Sequence, residues 1–156
     1  MHIKIGAFSR MRFQRKRYSM SHLPKDWRFL RSAWIYAHVL TGHPDSATTL
    51  VTETLNSIAN RNDVVSARRR KRLFFSMMFR AALAQSTASD NSCIDADFVK
   101  SFHALSEPGR SALTLLYLRV FPPEELADIL GKPIIELADL LQSTRREIST
   151  LMPPVQ

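Results

Sequence analysis

Residues 121–146 read FPPEELADILGKPIIELADLLQSTRR and have the spacing of a helix-turn-helix. Pro123 suits the first turn of a helix, and the two carboxylates that follow it complement the helix dipole. Gly131 ends the first apolar pattern where a left-handed residue is favoured, and a second pattern begins after Pro133. Two helices joined by a short turn containing glycine form the unit that places a recognition helix in the major groove. The motif therefore predicts a DNA reader.

The composition predicts an all-α protein with two small helical domains. The chain has 156 residues but only 4 glycines, which favours helices over turn-rich β architecture. No apolar run reaches the roughly 18 residues that a membrane span needs, so no membrane association is expected. The single cysteine cannot form an internal disulfide, which predicts a reducing, cytoplasmic location.

The positive charge lies outside the helix-turn-helix. The net charge is +8, and residues 1–31 alone have nine Lys or Arg against one Asp. Residues 61–80 have seven Lys or Arg against one Asp, whereas the chain from Asp95 onward is net acidic by three charges. A surplus of this kind points to an anionic partner such as nucleic acid. The strongest electrostatic candidates are consecutive cations: Arg68, Arg69, Arg70, Lys71 and Arg72. The alternative for this cluster is a solvated helix start.

Helical periodicity and polar breaks divide the chain into four segments. Residues 1–21 form a basic N-terminal arm, either disordered or upstream of a true start at Met20. Residues 22–85 form a helical domain and residues 86–95 a polar linker across which the domain orientation is expected to vary. Residues 96–156 form the domain with the helix-turn-helix, in which Ser106 has the chemistry of an N-cap. In the third helix, aromatic residues are interpreted as core, with stacking on unpaired bases as the alternative: Phe74, Phe75 and Phe79.

The order and the sequences of these segments resemble those of the extracytoplasmic-function group of bacterial sigma factors. WIYAHVLTGHPDSATTLVTETL at 34–55 is similar to the start of sigma region two, where the family writes "LTGD" and "AEDLVQETF". RLFFSMMFRAAL at 72–83 is similar to "WLFTIARNRAID", and residues 104–148 are similar to region four. The resemblance implies a region-two domain over 22–85 and a region-four domain over 96–156. It also implies binding to core RNA polymerase and promoter DNA.

Several positions depart from the family pattern. Where the family's recognition helix has basic and hydroxyl residues, this chain has acidic and apolar ones, Glu136 and Asp139 among them. Carboxylates facing phosphate are repelled. The remaining candidates for DNA contact in the C-terminal domain are Lys132, Arg145 and Arg146, with solvated surface charges as the alternative. Arg80 matches the family's promoter-opening asparagine, and the polymerase-binding positions are matched by Thr49, Thr52 and Glu53.

Catalytic patterns are missing from the sequence. No His, Cys and Asp spacing fits a metal site, and no glycine-rich phosphate loop occurs. The expectation is a protein that is not an enzyme, with no cofactor, no metal and no small-molecule substrate.

Two function classes remain. The first, and the preferred prediction, is a sigma-factor-like transcription initiation protein that binds core RNA polymerase and promoter DNA. The second is a degenerate sigma-like protein–protein module that binds an anti-sigma factor or another regulator without reading DNA. The retained two-domain layout favours the first class, and the acidic recognition helix favours the second.

Overall fold

The computed structural model of the chain describes residues 28–61, 66–85 and 97–151. Every regular element within these ranges is a helix, which confirms the all-α prediction. In chain order they are α1 (Leu30–Thr41), α2 (Pro44–Ala59), α3 (Ala67–Gln85), α4 (Asp97–His103), α5 (Gly109–Tyr117), α6 (Pro123–Leu130) and α7 (Ile134–Leu151).

The first two helices are separated by a turn that the sequence specifies. Gly42 has φ 71°, in the left-handed region, and its N–H donates to the carbonyl of His38 at 2.9 Å to close α1. Pro44 then occupies the first turn of α2, where its missing N–H costs nothing. The two helices pack together, and the Trp34 indole N–H donates to the Thr48 hydroxyl at 3.1 Å.

The aromatic half of α3 forms the centre of the core. Phe74 and Phe75 are fully buried, and Phe79 is 5% exposed. The Phe75 ring lies 5.9 Å from that of Phe29 and 5.1 Å, edge to face, from that of Phe121. Edge-to-face rings stabilise a core beyond their area burial. These residues are therefore core, as the preferred interpretation of the sequence had it.

The helix-turn-helix forms where the sequence predicts it. Pro123 begins α6, and Gly131 ends it with φ 64° and an N–H that donates to the Asp128 carbonyl at 3.2 Å. Three residues separate α6 from α7. Leu126 and Leu137 are buried, and they anchor the two helices against the core. The second helix therefore presents its opposite face to solvent.

Ser106 does not cap α5, contrary to the prediction. The helix begins at Gly109, and its N-cap residue, Pro108, makes no side-chain capping bond. The Ser106 hydroxyl and N–H instead donate to the two carboxylate oxygens of Glu147, each at 3.0 Å. A carboxylate on α7 provides a charge-assisted acceptor, which is stronger than a neutral cap.

Helices from both predicted domains share one hydrophobic core. The predicted linker at 86–95 and the predicted arm at 1–21 lie outside the described residues. On either side of that linker, α1 and α3 pack against α5 and α6, and the same core cluster contains Phe75 and Leu126. The buried Tyr36 hydroxyl donates to the Ser111 hydroxyl at 2.8 Å across this boundary. In this arrangement the two predicted domains are in direct contact.

Candidate functional site

The basic cluster predicted to bind nucleic acid begins α3 and meets the first helix of the helix-turn-helix. The Arg68 guanidinium pairs with the Glu125 carboxylate, with Nε 2.6 Å from Oε1. The Arg68 side chain remains 78% exposed, whereas that of Glu125 is only 10% exposed. Glu125 is therefore a nearly buried carboxylate whose charge is balanced by a cation 57 residues earlier in the chain. A buried carboxylate of this kind is costly without a partner.

Lys71 lies against the segment that leads into α6. Its ammonium donates to the carbonyl of Val120 at 2.6 Å and sits 4.8 Å from the centre of the Phe121 ring. Burial lowers the pKa of Lys71, and the nearby Glu125 charge opposes that shift. Lys71 is thus engaged within the fold by a hydrogen bond and a cation–π contact.

Arg72 completes this interface at its exposed edge. Its Nη1 lies 3.1 Å from Oδ2 of Asp128, and both side chains are well exposed. Exposed pairs of this kind contribute about 0–1 kcal/mol. We call the set formed by Arg68, Lys71 and Arg72 with Val120, Glu125 and Asp128 the α3–α6 contact. It means that three cations of the predicted nucleic-acid cluster face groups of the same chain.

The other cations predicted to bind DNA are not brought together into one site. Arg69 and Arg80 lie exposed on α3, and Arg70 is partly buried there. The Nζ of Lys132 lies 3.7 Å from Oε2 of Glu136, four residues later in the chain. Arg145 and Arg146 lie exposed on the second half of α7. Their roles in DNA binding stay predictions.

The first two turns of α7 expose apolar and acidic side chains to solvent. Leu137 and Thr144 are buried against the core, so the opposite face of the helix carries Ile135, Asp139 and Gln142, followed by Arg146 in its second half. Ile135 is 76% exposed and its neighbour Ile134 is 51% exposed. In a helix-turn-helix this face would meet a DNA groove.

The predicted polymerase-binding positions lie on α2. The Thr49 hydroxyl donates to the Asp45 carbonyl at 3.0 Å, and the Thr52 hydroxyl donates to that of Thr48 at 2.8 Å. Both hydroxyls thus bond within their own helix. Glu53 is exposed and keeps a carboxylate on this surface. A polymerase contact through these residues stays a prediction.

Histidines lie where α1 meets α4. His103 Nδ1 lies 2.7 Å from the Val39 carbonyl, and Nε2 of His38 is buried with no hydrogen-bond partner among the described residues. Burial lowers the pKa of His38, and the nearby His103 and His43 lower it further. Burial also lowers the pKa of His103, against the effect of its bond to Val39. In the folded chain both rings therefore favour the neutral form more than a free imidazole does.

We expect the free energy of unfolding to fall as the pH drops below about 6.5. His38 and His103 have folded pKa values below the ordinary histidine value of 6.5, so the unfolded chain binds more protons in that range. Their stabilising contribution is complete above pH 6.5 and is lost as the pH falls toward the lowered values. Urea unfolding at several pH values between about 7.5 and 5 measures how the free energy of unfolding changes with pH.

Glu107 acts in the opposite sense and provides the control. Burial raises the pKa of Glu107 above the ordinary glutamate value of 4.5, and Ser111 and Arg110 oppose that shift. Its charged form is disfavoured in the fold, so stability recovers as the pH falls from the raised pKa toward 4.5. The variant His38→Gln should flatten the decline below pH 6.5, whereas Glu107→Gln should steepen it. An unchanged slope in both variants would contradict this assignment.

Metal and membrane signatures are lacking in the part of the chain that the structure describes. No group of three His, Cys, Asp or Glu side chains is placed there to hold a metal ion. Of the described helices, none combines the length and the apolar character needed to cross a membrane.

Comparison with known proteins gives one fold-level similarity. No protein-family model matches the chain, and no curated protein matches it either. Among solved structures, the chain is similar to that of the anti-anti-sigma factor PhyR complexed with the anti-sigma factor NepR from Bartonella quintana. The TM-score is 0.59 at 15% sequence identity, over 81% of this chain and 49% of that chain. At this identity the likeness shows that the two chains share an all-helical fold, and the chain spans about half the length of the one it matches.

Proposed function

We propose that this chain is a sigma-like protein-binding module that binds an anti-sigma factor. The observation that carries the proposal is the solvent side of the first two turns of α7, where apolar side chains and the carboxylates of Glu136 and Asp139 lie at positions where a DNA-binding helix needs cations. This corresponds to the second of the two function classes derived from the sequence. We propose this second class in place of the prediction preferred from the sequence, a sigma factor that binds promoters.

The electrostatics of the helix-turn-helix favour a protein partner over DNA. Glu136 and Asp139 are exposed on the first two turns of α7, and Lys132 beside them is paired with Glu136. Binding to duplex DNA draws most of its non-specific affinity from cations that displace counterions. An acidic face cannot displace these counterions, so it lacks this source of DNA affinity. A basic protein surface would instead be attracted to the same carboxylates.

The α3–α6 contact supports the same proposal from the other half of the chain. Arg68, Lys71 and Arg72 are engaged by α6 and by the segment before it. A polyanion that used these cations would have to compete with Glu125 and Asp128. The basic cluster therefore supports the closed arrangement of the two halves rather than an open nucleic-acid surface.

The similarity to PhyR supports the choice of partner class. PhyR is described as an anti-anti-sigma factor and was solved in complex with the anti-sigma factor NepR. The likeness to PhyR in fold favours a partner of the same kind. The proposal extends that partner class to this chain.

Two titrations of the purified chain at physiological salt test the proposal. Isothermal titration with the anti-sigma factor NepR is expected to give a saturable, equimolar complex. Titration with duplex DNA from a randomised promoter-length pool is expected to give weak binding that salt abolishes and that selects no sequence. Enrichment of a defined promoter sequence from the pool would contradict the proposal and restore the sigma-factor prediction.

A further inference from the structure

We infer that the first two turns of α7 form a docking surface for a basic amphipathic helix of a partner protein. The surface consists of Ile134, Ile135, Ala138 and Asp139, with Glu136 at its edge next to Asp139, and we call it the α7 face. This inference deepens the proposed function, because it names the site at which the partner is held and the chemistry of the partner's segment.

The apolar part of the α7 face is unusual for a surface helix. Ile134 and Ile135 are 51% and 76% exposed, and Ala138 one turn later is also exposed. The helix already buries its other side through Leu137 and Thr144, so these side chains are not needed for the core. A β-branched residue in an exposed helix also lowers helix propensity slightly. Adjacent exposed isoleucines are the kind of apolar anchor that interfaces bury.

The charge of the α7 face selects the occupant. Residues 123–141 contain five carboxylates and one lysine. Glu125 and Asp128 are paired with α3, and Glu136 is 3.7 Å from Lys132. Glu124 and Asp139 remain exposed, and no described ion pair involves them. Apolar anchors next to surplus carboxylates fit a helix with an apolar stripe and Lys or Arg beside it.

Geometry also fits a helical segment rather than a flat surface. Ile134 and Ala138 are four residues apart, and so are Ile135 and Asp139, so each pair lies one turn apart on the same side of α7. The row of Ile134 and Ala138 thus runs beside the row of Ile135 and Asp139, and Glu136 lies at the edge beyond Asp139. An amphipathic helix packed along α7 would cover the isoleucines with its apolar residues and place its cations near Asp139.

The test uses a synthetic probe and the full chain. The probe is a fluorescent helical peptide of 18 residues, the length of α7, with Leu at helical spacing and Lys on the flanking positions. A matched peptide carries Glu in place of every Lys. We expect saturable binding of the basic peptide and about tenfold or weaker binding of the acidic one. Equal binding of both peptides, or binding of neither, would overturn the inference.

Variants locate the site. Ile135→Ser should weaken the basic peptide about tenfold, and Glu136→Lys with Asp139→Lys should weaken it at least as much. The matched control is Leu151→Ser, because Leu151 is 46% exposed at the far end of the same helix. Ile135 and Leu151 are exposed and make no ion pair, so circular dichroism and the unfolding midpoint should be unchanged in these two single variants. An Ile135→Ser effect no larger than that of Leu151→Ser would overturn the assignment.

Three further outcomes would identify a different occupant of the α7 face and would also overturn the inference. Self-association that Ile135→Ser abolishes would show that a second copy covers the face. Peptide binding that begins only after residues 1–27 are removed would show that the chain's own basic segment occupies it. Duplex DNA that displaces the peptide would show a nucleic-acid face.

The same variants separate this inference from the proposed function. If NepR binds the chain and Ile135→Ser does not weaken that binding, the proposed function stands and the α7 face is not the NepR-binding site. If the basic peptide binds through Ile135 but no anti-sigma factor does, the docking surface stands and the proposed partner class is wrong.

Discussion

Replacing Phe75 by Ala should lower the free energy of unfolding by about 3–5 kcal/mol. Its ring is fully buried and contacts the rings of Phe29, Phe74 and Tyr36 as well as that of Phe121 in the segment between α5 and α6. The change removes the aromatic group that both halves of the chain share. Urea unfolding followed by tryptophan fluorescence gives the loss.

The sharper expectation is that both halves lose stability together. Amide hydrogen exchange should show faster opening in α1 and in α6 in the Phe75→Ala variant, because one core cluster contains both helices. Leu83→Ala is the matched control, since Leu83 lies on the same helix and is 46% exposed. Protection that falls in α1 while α6 is unaffected would contradict the shared core and favour independent domains.

Reversing the charge of Glu125 should have the second largest effect. Its side chain is 10% exposed and lies beside Arg68, and its charge also acts on the pKa of the nearby Lys71. Glu125→Lys would place a third cation in this region, and we expect a loss of about 2 kcal/mol. That is less than for a fully buried pair, because the Arg68 side chain is 78% exposed and solvent screens it.

A double-mutant cycle isolates the pair. Arg68→Glu combined with Glu125→Lys should recover part of the loss, since opposite charges then face each other again. Recovery is expected to be incomplete because Lys71 remains nearby. The matched control is the exposed pair, Arg72→Glu with Asp128→Lys, for which changes below about 1 kcal/mol are expected. Additive losses at Arg68 and Glu125 would show that the two side chains do not interact.

Local signals in the sequence predicted the elements of this fold. Pro123 and Gly131 mark the ends of α6, and each acts through backbone conformation that depends on the residue alone. The aromatic residues of α3 were predicted to be core, and Phe74 and Phe75 are fully buried there. These features are encoded within a few residues of one another, so periodicity and turn chemistry suffice to find them.

Contacts between distant segments were not predicted. The basic run at 68–72 and the acidic residues 124–128 have complementary charges, and that was the available signal for the α3–α6 contact. Pairing between them depends on how α3 packs against α6, which no local pattern specifies. Ser106 failed as a cap for the same reason, because its partner Glu147 is 41 residues away. The DNA-binding and polymerase-binding assignments rest on the family resemblance and stay predictions.

Native purification of the tagged full chain from its own cells, with quantitative mass spectrometry of the partners, tests the protein-binding proposal most directly. A sigma-like module that captures a regulator should bring down an anti-sigma factor in near-equimolar amount, with the large subunits of RNA polymerase at background level. The Ile135→Ser chain provides the matched comparison for specific capture. Near-equimolar large polymerase subunits, together with promoter-specific transcripts when the chain is added to core polymerase, would contradict the proposal.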